Sequence, residues 1–226
     1  MDFDLNTKAF KVVQETKYTG RKFDPNEYNL TLLYAPSKDG ENIPISLFHK
    51  KGIKLDRKNK VLLLGYGAYG LNLALHYDSV FNTAVDKGWI IAYAHLRGGS
   101  EKGRTWHEKG LHLNKHMVIE DYIASAYALI KEGYTHPNYL AGMGSSAGGS
   151  VVAQAVNYKP DLFRAVVLSH PFLDMLTALL DDSLPLTIPD YQEYGNPHSH
   201  IDHYNNIQSI SPYENISHQE YPGIFR

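Results

Sequence analysis

Short runs of apolar residues recur along the chain, and turn-forming residues separate them. The runs at 61–64 and 89–94 are unbroken, as in strands buried on both faces, and 139–143 and 165–168 are also strand-like. The segment 29–50 contains two such runs around a Lys-Asp-Gly turn, which predicts a pair of adjacent strands. The apolar pattern therefore predicts a sheet.

Apolar residues at helical spacing lie between these strands. Over 117–132 they recur every three or four positions, and Gly133 is suited to end a helix. Shorter helices are predicted at 78–87, before Gly88, and at 149–157. Strands that alternate with helices at these lengths predict an α/β fold, in which a mostly parallel sheet carries helices on both faces.

The segment 181–220 differs from the rest of the chain. Proline, asparagine, histidine and tyrosine are frequent there, and the periodicity is weak. We expect an excursion over the sheet edge with one or two short helices. Within it, the run HSHIDH at 198–203 has the composition of a metal site, but no clear helical or strand order fixes ligand directions. A solvated loop without a metal is therefore expected.

Glycine and serine are concentrated at 142–150, where the sequence reads GMGSSAGGS. The stretch lies between a predicted strand and a predicted helix, and it contains the pattern G-x-S-x-G with Ser146 as its serine. In this setting the pattern builds a strained turn that lifts a hydroxyl to the carboxyl edge of the sheet. Ser146 is therefore the candidate nucleophile, and Ser145 occupies a variable position. A turn used only for packing, or for binding a phosphate, is the alternative.

A second glycine-rich stretch, GYGAYG at 65–70, follows the strand predicted at 61–64. Acyl transfer by a serine needs hydrogen-bond donors aimed at the developing oxyanion. One donor is expected from the backbone N–H of Ala147, directly after the candidate nucleophile at the positive end of a helix. The loop at 65–70 is placed to supply the second donor, and Tyr66 offers a phenolic hydroxyl.

Composition and charge narrow the class of protein. The 226 residues carry a formal net charge of −2, which points to neither a nucleic-acid nor a membrane partner. No apolar run approaches the roughly 20 residues of a membrane span, and the N-terminus lacks the basic flank and apolar core of a signal peptide. There is no cysteine, which excludes disulfides and thiolate metal sites and fits a reducing compartment. We expect a cytoplasmic protein without a metal or other cofactor.

Several stretches together resemble the catalytic domain of the prolyl oligopeptidase family. They are GYGAYG, AHLRGGSEKGRTWHEKG at 94–110, IKEGYTHPNYLAGMGSSAGG at 130–149, SLPLTIPDYQEYGNP at 183–197 and SPYENI at 211–216. The similarity is to the branch that contains oligopeptidase B and prolyl-endopeptidase-like proteins. It implies an α/β-hydrolase fold and a serine-type endopeptidase, which hydrolyses short peptides through an acyl-enzyme.

The resemblance assigns roles to individual residues. Ser146 matches the nucleophile of the family, Tyr66 matches the tyrosine that donates to the oxyanion, and Ala147 matches the backbone donor. Arg97 matches an arginine that the family uses for internal ion pairing. We expect Arg97 and Trp106 to order a loop and to contact no substrate, because an unpaired buried arginine is costly.

The resemblance also divides the chain. Residues 1–24 are similar to the closing strands of the β-propeller that precedes the hydrolase domain in the family, so a propeller remnant or linker is expected there. Residues 25–226 are expected to form the α/β-hydrolase peptidase domain, incomplete at its C-terminal side. The family order is Ser, Asp, His, and the triad Asp and His are expected beyond residue 226. We therefore expect this chain to be inactive by itself.

Substrate preference is expected near the stretch PDYQEYGNP. Oligopeptidase B enzymes hold basic side chains with paired acidic residues there, and the matching positions are Asp190 and Gln192, with Glu193 beside them. A second acidic pair matches Ala74 and His76, so bidentate capture of arginine is weakened. A preference for arginine or lysine through Asp190 and Glu193 is one hypothesis, and acids that only solvate a loop are the other.

Two alternative functions stay open at this stage. The same serine turn occurs in esterases and thioesterases, because G-x-S-x-G does not distinguish an amide from an ester substrate. A non-catalytic interaction protein that keeps the α/β-hydrolase fold is the alternative from another class, and the expected absence of the triad Asp and His favours it for this chain. The sequence leaves the specificity and the oligomeric state undecided.

Overall fold

The computed structural model describes residues 1–14 and 23–226. Two strands in the N-terminal part, β1 (Asp2–Phe3) and β2 (Phe10–Lys11), pair in antiparallel fashion and are exposed. Residues 15–22, which belong to the segment predicted as a propeller remnant or linker, lie outside the described residues. That assignment stays a prediction.

A seven-stranded sheet forms the centre of the rest of the chain. Its strands are β3 (Tyr28–Pro36), β4 (Asn42–Lys50), β5 (Lys60–Leu64), β6 (Trp89–Ala94), β7 (Leu140–Ser145), β8 (Ala165–Ser169) and β9 (Gly223–Phe225). The strand order is β3-β4-β6-β5-β7-β8-β9. The β3–β4 and β4–β6 pairs are antiparallel, and every pair from β6 to β9 is parallel. The mostly parallel sheet predicted from the sequence is confirmed.

Helices connect the parallel strands. They are α1 (Ser79–Asp86), α2 (Arg104–Glu108), α3 (Lys115–Lys131), α4 (Ala147–Tyr158), α5 (Met175–Leu179), α6 (Thr187–Tyr194) and α7 (Ile201–Ile210). The helices predicted at 78–87, 117–132 and 149–157 correspond to α1, α3 and α4. Both α2 and α5 span only five residues, which is too short for a periodic apolar pattern.

Both faces of the sheet carry helices because its central strands are apolar on both sides. On one face, Leu63 and Val166 pack in a large core with residues of α3 and α4, such as Tyr122 and Val152. On the other face, Ile91 and Tyr93 pack with Val85 of α1 in a smaller core. Asp78 begins α1 by accepting hydrogen bonds from the backbone N–H groups of Val80 and Phe81.

Arg97 lies inside the fold, as expected from the sequence. The residue is 2% exposed, and its side chain donates to both carboxylate oxygens of Asp121 and to the carboxylate of Asp39. Because Asp121 belongs to α3 and Asp39 to the β3–β4 turn, this one guanidinium joins three segments. The prediction of internal ion pairing is confirmed, and Trp106 is likewise buried.

The segment 181–220 contains α6 and α7, in agreement with the prediction of short helices. The structure corrects one part of it: the run HSHIDH is not a loop throughout, because α7 begins at Ile201 and includes Asp202 and His203. The His203 ring packs against Gly195, and its Nδ1 accepts a hydrogen bond of 3.1 Å from the Asn196 N–H. Among residues 1–14 and 23–226, no group of three or more His, Cys, Asp or Glu side chains is arranged to hold a metal ion.

Candidate active site

The carboxyl ends of β5 and β7 meet at one edge of the sheet. Leu64, at the end of β5, pairs with Met143 of β7, and the Gly65 N–H donates to the Met143 carbonyl at 3.2 Å. The loop at 65–70 therefore begins beside the turn that leads from β7 to α4. In open α/β sheets this edge is where ligands bind.

Ser146 is the single residue between β7 and α4, and it has a strained backbone. Its φ of 52° and ψ of −122° lie in a region that residues with a side chain rarely adopt. Ser145 ends the strand, and Ala147 begins the helix. Both serines are exposed, whereas Ala147 is buried. The geometry is the sharp strand-to-helix turn that the G-x-S-x-G pattern predicts.

The glycines around Ser146 are required by close backbone contacts. A Cβ atom on Gly144 would collide with the carbonyl group of Gly148. A Cβ atom on Gly148 would lie 2.5 Å from the Gly65 carbonyl oxygen and 2.9 Å from the Tyr66 Cα. The glycines thus allow the first turn of α4 to pack directly on the loop that carries Tyr66.

Hydrogen bonds from three directions fix the backbone of Ser146. Its N–H donates to the Ser169 carbonyl at 3.0 Å, and its carbonyl accepts from the N–H groups of Gly149 and Phe172 at 2.9 and 3.1 Å. These bonds hold the turn while the side chain stays open to solvent. In the part of the chain that the structure describes, no histidine nitrogen is hydrogen-bonded to the Ser146 hydroxyl.

Tyr66 is half-buried beside the first turn of α4. Burial raises the pKa of its hydroxyl, and the charges of Glu193 and Asp190 raise it further. A tyrosine is already protonated at neutral pH with its ordinary pKa, and the upward shift reinforces this, so the phenol can donate a hydrogen bond. The backbone N–H of Ala147, in the first turn of α4, is the other donor predicted for this edge.

The three residues predicted to contact a substrate side chain have different surroundings. Asp190 is half-buried, and the Tyr69 hydroxyl donates to its Oδ1 at 3.0 Å. Burial raises the pKa of Asp190, and the charge of Glu193 adds to the shift. Gln192 is exposed, and its carbonyl accepts from His112 Nε2 at 2.9 Å. Because residues two positions apart on a helix point in different directions, Asp190 and Gln192 do not form a pair.

Glu193 is 3% exposed and has two partners inside the fold. Its Oε1 accepts a very short hydrogen bond from Lys115 Nζ, and its Oε2 accepts from His107 Nε2 at 3.0 Å. Glu193, Gln192, His107 and Tyr69 also line a cavity of 420 Å³. The geometry therefore favours Asp190 over Glu193 as the carboxylate available to a ligand, and a substrate contact by any of the three stays a prediction.

Sequence reasoning did not single out Lys115, His107 or Tyr69. A single lysine in a helix usually lies on the surface, and nothing in the local sequence marks Lys115 as buried. His107 follows Trp106 in the stretch at 94–110, which indicated the family resemblance but no role for this histidine. Tyr69 lies in the GYGAYG stretch. Their partners are far away in the sequence, so no local pattern could have identified the contacts.

Comparison with known proteins identifies the family of this chain. The sequence profile described as "Prolyl oligopeptidase family" matches residues 75–225. The chain belongs to the prolyl oligopeptidase family. Among curated members, "Prolyl endopeptidase-like" of Xenopus laevis is 40% identical over 199 residues, which is 88% of this chain and 28% of the relative. "Dipeptidyl aminopeptidase BI" of Pseudoxanthomonas mexicana is 34% identical over 224 residues, 99% of this chain and 31% of the relative.

Solved structures of the family show the same fold. Oligopeptidase B from Trypanosoma brucei, with covalently bound antipain, matches with a TM-score of 0.93 and 38% identity, over 98% of this chain and 31% of that chain. Oligopeptidase B from Leishmania major matches with a TM-score of 0.88 and 36% identity, over 93% of this chain and 29% of that chain. The α/β-hydrolase fold expected from the sequence is thereby confirmed. The chain spans about 30% of the length of these relatives.

The helices of the described residues also bear on membrane insertion. Within residues 1–14 and 23–226, none of them combines the length and the apolar character that crossing a bilayer requires.

Proposed function

We propose that this chain carries the nucleophile and the oxyanion donors of a serine peptidase that hydrolyses short peptides. The observation that carries the proposal is the backbone of Ser146, whose φ of 52° and ψ of −122° present the hydroxyl at the carboxyl edge of the sheet. Membership of the prolyl oligopeptidase family supports it and suggests peptides as substrates. The family also contains oligopeptidase B, in which antipain is bound covalently.

The proposed reaction has two half-reactions. The Ser146 Oγ attacks the carbonyl carbon of the scissile amide while a base accepts its proton, and the carbonyl oxygen becomes an oxyanion. The Tyr66 hydroxyl and the Ala147 N–H donate hydrogen bonds to that oxyanion. Collapse breaks the C–N bond, the amine leaves with the proton, and Ser146 keeps the acyl group as an ester. Water then attacks the ester and releases the acid, which regenerates the serine.

The reaction needs a base next to the Ser146 hydroxyl, and none of the described residues is a candidate for that base. A serine hydroxyl without a base is a weak nucleophile, because its own pKa lies far above neutral pH. We propose that a histidine and its orienting aspartate come from polypeptide outside these 226 residues, in the family order of the triad. On this proposal the chain by itself does not turn over peptide amides.

Asp190 is the proposed contact for a basic substrate side chain. It is half-buried, lies on the same helix as Glu193, and faces the Tyr69 hydroxyl. A carboxylate in partly desolvated surroundings attracts a guanidinium or ammonium group more strongly than an exposed one does. Since Glu193 is engaged by Lys115 and His107, we propose a single-carboxylate contact with a weak preference for arginine or lysine.

Labelling with a fluorophosphonate probe tests the nucleophile. The measurement compares the 226-residue chain and the full-length protein that contains it, each with Ser146→Ala and with the matched variant Ser145→Ala. We expect the full-length protein to be labelled at Ser146, Ser146→Ala to abolish labelling and peptide hydrolysis, and Ser145→Ala to retain both. Loss of labelling in Ser145→Ala but not in Ser146→Ala would show that Ser145 is the nucleophile.

A non-catalytic role is the second candidate, and the absence of a histidine bonded to the Ser146 hydroxyl in the described residues favours it. It predicts no labelling of Ser146 even in the full-length protein. An esterase is separated from a peptidase by the substrate. Hydrolysis of a peptide amide of arginine at a Ser146-dependent rate supports the peptidase, whereas hydrolysis of matched esters alone contradicts it.

A further inference from the structure

A buried ammonium group lies behind the candidate active site. Lys115, at the beginning of α3, is 4% exposed, and its Nζ lies 5.1 Å from the centre of the Tyr194 ring. Burial lowers the pKa of Lys115, and the carboxylate of Glu193 opposes that shift. Removing a charged amine from water costs free energy unless close partners replace the lost solvation. Two hydrogen-bond partners replace part of that solvation, the Gly67 carbonyl and the Glu193 carboxylate.

The first partner belongs to the loop that carries Tyr66. Lys115 Nζ donates to the Gly67 carbonyl at 3.1 Å, and Gly67 is the residue directly after Tyr66. The start of the loop is held by the bond from the Gly65 N–H to Met143, and its end by the 2.9 Å bond from the Gly70 N–H to the Gly98 carbonyl. Lys115 thus supports the middle of the loop, at the residue that follows Tyr66.

The second partner belongs to the helix that carries Asp190. Lys115 Nζ donates to Glu193 Oε1, and Glu193 is also held by His107. Asp190 lies three residues before Glu193, on the same side of α6. The lysine also shares the lining of a small cavity with Ala147, the residue after Ser146. One amine therefore connects the oxyanion loop with the helix of Asp190.

We propose that Lys115 is a positioning residue: it holds Tyr66 in place through the Gly67 carbonyl and joins the Tyr66 loop to α6 through Glu193. This inference rests on the proposed function, because it assigns Lys115 to the oxyanion donor of that reaction. An oxyanion donor acts only if it is held where the charge develops. A charged donor that is fixed by a buried carboxylate holds a carbonyl more firmly than a neutral one does.

Replacing the amine of Lys115 tests its hydrogen bond to the Gly67 carbonyl. Lys115→Met keeps the length and the apolar stem but cannot donate to Gly67, whereas Glu193 keeps His107 as a partner. Glu193→Gln keeps the shape of the side chain and removes the charge that anchors the lysine. It is the second test variant if Lys115→Met does not fold. The matched control is Lys109→Met, because Lys109 also donates to a carboxylate, at 2.7 Å, but its side chain is half-exposed and its partner Glu41 belongs to the β3–β4 turn, not to the Tyr66 loop.

Hydrogen exchange followed by mass spectrometry measures the loop without any need for catalysis. We expect amide exchange over 65–70 to rise at least about tenfold in Lys115→Met, since hydrogen bonds to charged groups contribute enough to local opening for that factor. Glu193→Gln should give a smaller rise, and exchange over 42–50 should stay unchanged in both variants. An equal change in Lys109→Met, or a rise that is uniform along the chain, would overturn the proposal.

Kinetics in the full-length protein test the same contact through Tyr66. Tyr66→Phe should lower kcat by about 10²–10³, the usual cost of one oxyanion donor. Lys115→Met should lower kcat with little change in KM, and this effect should disappear when it is introduced into Tyr66→Phe. An undiminished effect in the double variant would contradict positioning through Tyr66. Failure of Ser146 labelling would instead contradict the proposed function, and the exchange result would not depend on it.

Discussion

At the scale of single residues, Gly148 has no room for a side chain. It belongs to α4, where replacing glycine by alanine normally stabilises a helix by up to about 1 kcal/mol. Here the added Cβ would lie 2.5 Å from the Gly65 carbonyl oxygen, and backbone cannot move as freely as a flexible side chain. The steric cost of such overpacking is about 1–3 kcal/mol, so it outweighs the helical gain.

We therefore predict that Gly148→Ala lowers the free energy of unfolding by about 1–2 kcal/mol, as the steric cost exceeds the helical gain. Urea unfolding measures this change in the free energy of unfolding. Gly223→Ala is the matched control, because its Cβ would meet no atom closer than 3.7 Å. The control should be neutral or slightly stabilising. A Gly148→Ala variant that is as stable as the parent chain would show that the loop at 65–70 moves away without cost.

Single residues also show what the sequence could and could not predict. The turn at Ser146 was predictable because its requirements are local: a strand, a helix, and glycines at fixed spacing. The contacts of Glu193 were not, because Lys115 lies 78 positions away and His107 lies 86 positions away. A carboxylate next to a polar segment gives the same local pattern whether it faces a ligand or a buried amine.

At the scale of elements, the turn between β3 and β4 is joined to the segment around α2 by Glu41. The carboxylate accepts from Lys102 Nζ at 2.9 Å and from Lys109 Nζ at 2.7 Å. The hydrogen bonds from Lys109 and Lys102 lower the pKa of Glu41 from 4.5 to about 2. The carboxylate therefore stays ionised to lower pH in the folded chain than in the unfolded chain.

This shift predicts acid sensitivity with a defined sign. The contribution of Glu41 to stability is fully present above pH 4.5 and is lost as the pH falls toward about 2. We expect Glu41→Gln to be less stable than the parent chain near neutral pH and to lose less stability between about pH 5 and pH 3. Urea unfolding at several pH values checks this. Glu108→Gln is the control, because the partner of Glu108 is the highly exposed Arg104, and such surface pairs contribute little to stability. Parallel pH profiles for Glu41→Gln and the parent chain would contradict the prediction.

Element prediction was most reliable where the apolar pattern was long. The 17 residues of α3 cover almost five turns, and both ends were predicted within two residues. By contrast, α7 begins inside a run of histidines, whose polarity hides the helix; only Ile207 and Ile210 of it are buried. A short helix that buries only a few side chains against other helices has a weak apolar periodicity in its sequence.

At the scale of the whole molecule, the seven-stranded sheet of the described residues ends in an edge strand on each side. One is β3, and the other is β9, a strand of three exposed residues that follows β8 in parallel. Ile224 and Phe225 of β9 are 54% and 62% exposed, although both are large and apolar. Beside them lies a cavity of 340 Å³ with an almost entirely apolar lining that includes Leu168, Tyr221 and Ile224. An unpaired edge with exposed apolar side chains is a template for pairing with another chain.

We predict that the 226-residue chain associates with itself as its concentration rises, since apolar area contributes about 25 cal/mol per Å² when it leaves water. Sedimentation velocity over a range of concentrations measures it. Phe225→Lys should weaken the association, because a charged side chain at a strand edge opposes pairing and is costly to bury. Val80→Lys is the matched control, because Val80 is an exposed apolar residue that lies on α1 and not on either edge strand. A chain that stays monomeric at every concentration, or equal weakening by both variants, would show that β9 is not the contact.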